Sequence, residues 1–171
     1  MKAKNKKSRP DNVQPPQNST DRDCIPELIR IASSNNELAE AQKIAAKALS
    51  DAGEPPFPHN ACAATLSALL EMSGIDIPMT LGAGRFAYRL GGQIDSRGWV
   101  HIPVSEQIAG DIGVTFDLGG NPGADHVYLV VIRMNDDEMM VADNQAKTIH
   151  QRFARGDGKT PTDYFLRAPS A

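Results

Sequence analysis

With 171 residues, 40% of them hydrophobic and 5% aromatic, the chain has enough material for one domain, with a core filled mostly by Leu, Ile, Val, Met and Ala. A net charge of -3 makes no case for nucleic acid as a partner, and two cysteines are too few for a disulfide framework. No stretch approaches the roughly 18 apolar residues of a membrane helix, so membrane insertion is not expected.

Lys2, Lys4, Lys6, Lys7 and Arg9 put a basic arm on an acidic body, and residues 1–23 read as a disordered basic tail with almost nothing to bury. That start runs into Pro10, Asp11 and Asn12 rather than an apolar segment, so it does not read as a signal peptide. Synthesis in the cytoplasm is expected, with any export left to a dedicated secretion system or to phage lysis.

Residues 24–56 read as an N-terminal helical segment. A first helix covers residues 25–32, with Asp23 as its N-cap and Pro26 in its first turn. Ser33, Ser34, Asn35 and Asn36 break it. A second covers residues 37–52, where Leu38, Ala41, Ile44, Ala45, Ala48 and Leu49 recur at helical spacing. Gly53 and Pro55-Pro56 stop it. Residues 57–171 read as the main domain. A helix opens at Cys62 with Ala63, Leu66, Leu69 and Leu70 on its inner face, and ends at Gly74. Another covers residues 80–90.

From Gly92 the period changes to that of strands. Residues 99–103 and 111–116 read as extended, and residues 127–134 as a central strand, apolar on both faces. A turn at residues 135–138 leads to a strand over 139–143, and residues 150–153 and 164–167 could complete an antiparallel sheet. Helices first and a meander of strands after indicate an α+β fold with N-terminal helices packed on the sheet.

The chemistry centres on Cys62. A thiol in the first turn of a helix faces the positive end of the backbone dipole, which favours an anion there. Asp125-His126-Val127-Tyr128 opens the central strand, and Ala142-Asp143-Asn144-Gln145 closes the next. A Cys on a helix, a His on one strand and an amide or carboxylate on the next can supply a nucleophile, a base and a group that orients the base. Asn144 is the first choice for the orienting group and Asp143 the substitute, because neighbours on a strand point to opposite sides and only one can face His126. The Cys62 backbone N–H could stabilise an oxyanion, with His59 or Asn60 sharing that task. The Gly-rich run Gly119-Gly120-Asn121-Pro122-Gly123 could give access beside His126, and Trp99 could flank a groove. His101 and His150 are further histidines without an assigned role. The Cys and His spacings contain no CxxC, HxxxH or HExxH pair, so neither a metal nor another cofactor is expected. A Cys24–Cys62 disulfide would remove the nucleophile and is the direct rival of this reading.

Asn60-Ala61-Cys62, Gln107-Ile108-Ala109-Gly110-Asp111-Ile112-Gly113-Val114 and Asp125-His126-Val127-Tyr128-Leu129-Val130 together make residues 57–168 resemble the NlpC-type and CHAP-type peptidoglycan hydrolases, small papain-like cysteine peptidases. At the nucleophile the run is Ala61-Cys62-Ala63-Ala64, where NlpC-type members usually carry Asp-Cys-Ser-Gly. The resemblance implies a papain-like fold and a Cys62–His126 dyad with Asn144 or Asp143 as third residue. It also implies cleavage of an amide bond in peptidoglycan stem peptides, with an immunity or inhibitor protein as a conceivable partner. A papain-fold deamidase, protease or acyltransferase acting on a protein would use the same residues. A non-catalytic binding module of the same fold is the third reading.

Overall fold

The first helix begins where a capping box closes. The Thr20 hydroxyl accepts from the Asp23 N–H and the Asp23 carboxylate accepts from the Thr20 N–H, which satisfies two of the donors a helix start leaves open. Helix α1 therefore runs over Asp21–Ser33, and Asp23 is its third residue rather than its cap. Pro26 lies inside the helix and not in its first turn. The computed structural model describes residues 19–116 and 124–170. Most of the expected basic tail and the Gly-rich run before Asp125 lie outside the described residues.

Ser34 ends α1 and, accepting from the Glu37 N–H at 3.3 Å, starts α2 (Asn35–Asp51). Helix α3 spans Cys62–Ser73 and ends at Gly74 in the left-handed region. Helix α4 (Ala83–Gly91) starts later than its sequence suggests. The Thr80 N–H donates to the Ser67 hydroxyl and the Arg89 side chain to the Thr80 hydroxyl, so the segment before it is tied to α3 instead of coiling.

Six strands follow: β1 (Val100–Ile102), β2 (Ile112–Thr115), β3 (His126–Arg133), β4 (Glu138–Ala142), β5 (His150–Phe153) and β6 (Thr162–Arg167). They form one antiparallel sheet in the order β1-β6-β2-β3-β4-β5. The chain among the described residues is thus α+β, four helices and a six-stranded antiparallel sheet. Strand β6 enters between β1 and β2, so β3, β4 and β5 keep the order of the chain while the other edge does not.

Helix α3 is the centre of the packing. Its residues from Cys62 to Leu70 are all buried, which fits a helix with an apolar surface all round: α1 and α2 lie against it on one side and β3 on another. Its polar side chains are satisfied within the helix, Thr65 donating to the Ala61 carbonyl and Ser67 to the Ala63 carbonyl. Leu28, Ile31, Leu38 and Ala41 of α1 and α2 share one core with Leu66 and Leu69 of α3 and with Val127 and Leu129 of β3. The N-terminal helices are therefore built into the core rather than appended to it. Trp99 is core as well, 3% exposed, with its indole N–H donating to Asp21 of α1. It does not line the cleft described below.

Gly110 makes a further close fit. Its φ is +96°, and a Cβ there would sit 2.3 Å from the Ile25 side chain of α1. Gly53 shares the left-handed conformation, at φ +71°, but has open space around it. Gly53→Ala is expected to cost about 1 kcal/mol from backbone strain, and Gly110→Ala about 3 kcal/mol because overlap is added to strain. Denaturant melts of the two variants test the difference.

Candidate active site

The register of three neighbouring strands decides which side chains meet. Strands β3 and β4 pair Leu129 with Ala142 and Val130 with Val141. One step further along, Asp143 falls opposite Tyr128, and side chains two apart share a face, so Asp143 lies on the face of His126. Asn144 falls on the other face. Strand β5 pairs His150 with Val141 and Arg152 with Met139, which brings both onto the Asp143 face. The side of the sheet away from α3 thus carries Tyr128, Val130, Met139 and Val141 as a small core, with His126, Asp143 and His150 at one end.

There, His126 Nε2 lies 3.0 Å from Asp143 Oδ2, and His150 Nε2 lies 2.9 Å from Asp143 Oδ1. The Gln145 N–H also donates to Asp143 Oδ1, at 2.8 Å. Asp143 is fully buried, and its carboxylate is satisfied from two sides. The orienting residue for His126 is therefore Asp143, not Asn144, the first choice from sequence. Asn144 donates its side-chain N–H to the Pro58 carbonyl at 2.8 Å and so holds the loop that leads into α3.

Cys62 is the first residue of α3 and lines the same cleft as His126, where its sulfur raises the proton affinity of the imidazole. Asp143 occupies Nε2, and Nδ1 is the ring nitrogen without that partner. Cys62 and His126 at the cleft, with Asp143 behind the ring, make one Cys–His–Asp relay. Both cysteines are free thiols, so the Cys24–Cys62 disulfide does not form in this structure. No side chain caps α3, and the Cys62 N–H belongs to its first turn, where backbone donors have no partner inside the helix.

The electrostatics follow from burial and pairing. Burial alone would push the His126 imidazolium down; its hydrogen bonds to Asp143 and Cys62, with the negative charges of both, outweigh this and raise it to about 9. Burial alone would raise the Asp143 carboxyl, but hydrogen bonds from His126 and then His150 hold it well below the usual carboxylate range.

The relay opens into a cleft of about 360 Å³ whose lining includes Asn60, Cys62, Thr115, Asp125, His126 and Asn144. Asn60, at φ +50°, lines this cleft; His59 is exposed and does not. His101 stacks on Tyr164 at 4.2 Å between ring centroids, outside the site. Among the described residues no group of three or more His, Cys, Asp or Glu side chains is arranged to hold a metal ion.

Two contributors went unassigned in the sequence. His150 gave no signal beyond opening a strand; its role depends on the β4–β5 register. Gln42 of α2 is buried, and its amide N–H groups donate to the Asp143 carbonyl at 2.9 Å and the Ala146 carbonyl at 2.7 Å. It clamps the chain on which Asp143 sits, and nothing in its helical context marks it. The Gly110-Asp111 pair is structural: the Asp111 carboxylate accepts two bonds from Arg167 of β6 and one from the Ile108 N–H.

Compared with family models, curated proteins and solved structures, the chain has no significant match in any of the three.

The two shifts set a pH window for stability. A raised imidazole contributes stability that is full below its unfolded value of 6.5 and is lost as pH rises through about 9. A depressed carboxyl contributes stability above its unfolded value of 3.8 that is lost as pH falls below it. Thermal melts should be highest between about pH 4 and 6.5 and decline toward pH 9, and Asp143→Asn should flatten that decline. An unchanged slope in a folded Asp143→Asn protein would contradict the coupling.

Proposed function

We propose that this chain is a cysteine hydrolase of amide bonds with a papain-like fold, and that it acts on peptidoglycan stem peptides as an amidase or endopeptidase. The observation that carries the reading is the relay from Cys62 through His126 to the buried Asp143, at the wall of an open cleft. The peptidoglycan substrate rests on the resemblance of residues 57–168 to NlpC-type and CHAP-type hydrolases.

In this reaction the Cys62 thiolate attacks the carbonyl carbon of the scissile amide. The oxygen that gains the charge accepts from the Cys62 N–H at the start of α3, with the Asn60 side-chain amide available beside it. The His126 imidazolium gives its Nδ1 proton to the leaving nitrogen. The C–N bond breaks, an amine departs and a thioester remains. Neutral His126 then takes a proton from water, whose oxygen attacks the thioester carbon. The C–S bond breaks, a carboxylic acid leaves and the thiolate–imidazolium pair is restored.

Asp143 keeps the proton on Nε2 throughout and stabilises the charged ring. Asn144 contributes differently. Its Oδ1 is buried without a donor among the described residues and the residue lines the cleft, so it can accept a peptide N–H of the substrate.

Purified protein should release new amines from cell-wall fragments, and Cys62→Ala should abolish the release. Asp143→Asn should lower kcat by about 100-fold or more through loss of the correct tautomer. Asn144→Ala should mainly raise KM and leave kcat within about ten-fold. Equal amine release by wild type and Cys62→Ala would refute the proposal. A mass change on a protein substrate without action on muropeptides would keep the chemistry and replace the substrate.

A further inference from the structure

Arg152 of β5 is a buried cation that the relay does not use. It is 3% exposed, and its Nε is buried with no hydrogen-bond partner. The partners it does engage are neutral. Nη2 donates to the Thr160 carbonyl at 3.1 Å, and the guanidinium lies 4.7 Å from the centroid of the Tyr128 ring. The Tyr128 hydroxyl is pushed up to about 12, chiefly by burial, and so stays a neutral phenol at ordinary pH. Among the described residues no carboxylate forms an ion pair with Arg152. Asp143, on the same face of the sheet, is already engaged by two histidines and the Gln145 N–H. A buried charge without a counterion is costly, and its cost is relieved when an anion arrives.

Arg152 is also not sealed away. It lines the same cleft as Cys62 and His126, together with Lys159 and Thr160. Lys159 is exposed, with only a 3.5 Å contact to the Gln145 side chain. Asp125 lines the cleft too and accepts from the Thr115 hydroxyl, so Arg152 and Lys159 share the cleft lining with one such carboxylate. That balance is the reverse of the acidic chain as a whole.

We propose that Arg152 and Lys159 form a carboxylate-binding subsite, so that the amide bond cut by Cys62 belongs to an acidic peptide with a free carboxylate within a residue or two of the scissile carbonyl. This rests on the hydrolase reading for its purpose, although the subsite itself does not depend on it. The planar fork of Arg152 matches a carboxylate in two parallel bonds, and Lys159 adds a mobile point charge at the rim.

The test uses the Cys62→Ala protein, in which binding is read without turnover. Two probes of nearly equal shape are titrated by NMR: acetyl-alanyl-glutamate, with two carboxylates, and acetyl-alanyl-glutamine amide, with none. The acidic probe should bind at least about ten-fold tighter. Lys159→Gln, a change at an exposed position, should reduce that preference, and Arg152→Lys, which keeps the charge but loses the fork, should reduce it further. Should Arg152→Lys fail to fold by circular dichroism, the Lys159→Gln result decides. Equal binding of the two probes would overturn the proposal, as would a preference untouched by the variants. Inorganic phosphate binding more tightly than the acidic peptide would overturn it in favour of a phosphate site. Amine release by the wild type is measured separately. Selective binding without any turnover would sink the hydrolase and leave the subsite, and equal turnover of acidic and neutral peptides would do the reverse.

Discussion

Asp143 is a charge that has no business being dry unless something pairs with it. It is fully buried at the end of β4, and two imidazoles and a backbone N–H surround its oxygens. In an interior of low dielectric such an arrangement holds only while its partners stay in place, because losing one leaves an uncompensated charge. The requirement runs outward in both directions. Through His126 it reaches the sulfur of Cys62, and through His150 it reaches β5. Gln42 carries the same constraint to α2 by holding the backbone carbonyl of Asp143 itself. Each layer of the fold therefore contributes to one carboxylate.

The second condition is where α3 begins. Its burial on all sides leaves little freedom to move, and it packs against β3 so that its first residue and the first residue of that strand line one cleft. The loop before it is fastened by Asn144 through the Pro58 carbonyl. Rigid elements, not loops, thus position the Cys62 thiol and the His126 imidazole, and that favours a fixed geometry for the two. The cleft opens at the first residue of α3, whereas the turns that follow are dry core. The same helix serves both.

The places where sequence and structure part share a cause. Alternation says that only one of the neighbours Asp143 and Asn144 faces His126, and alternation alone does not say which. The answer needs the β3–β4 register, which shifts between Val130 and Ile132 and is invisible in a single strand. Helix α1 starts at Asp21 because Thr20 and Asp23 cap each other, and Trp99 sits in the core with its N–H donated to Asp21 of α1. The insertion of β6 between β1 and β2 likewise depends on a pairing between segments far apart in the chain.

Local patterning determined the identity of the elements: the helix from Cys62 to Ser73 stopped by Gly74, the apolar strand opened by His126, and the change from helical to strand period after Gly92. Those signals are short-range, set by side-chain spacing, caps and breakers, and they can be read without knowing what lies opposite. Only the tertiary structure decided that Asp143 rather than Asn144 holds the imidazole, that His150 and Gln42 support it, and that Arg152 turns its charge toward the same cleft. Those outcomes depend on strand register and on which faces become buried, and both are settled by pairing across the sheet and by packing against α3.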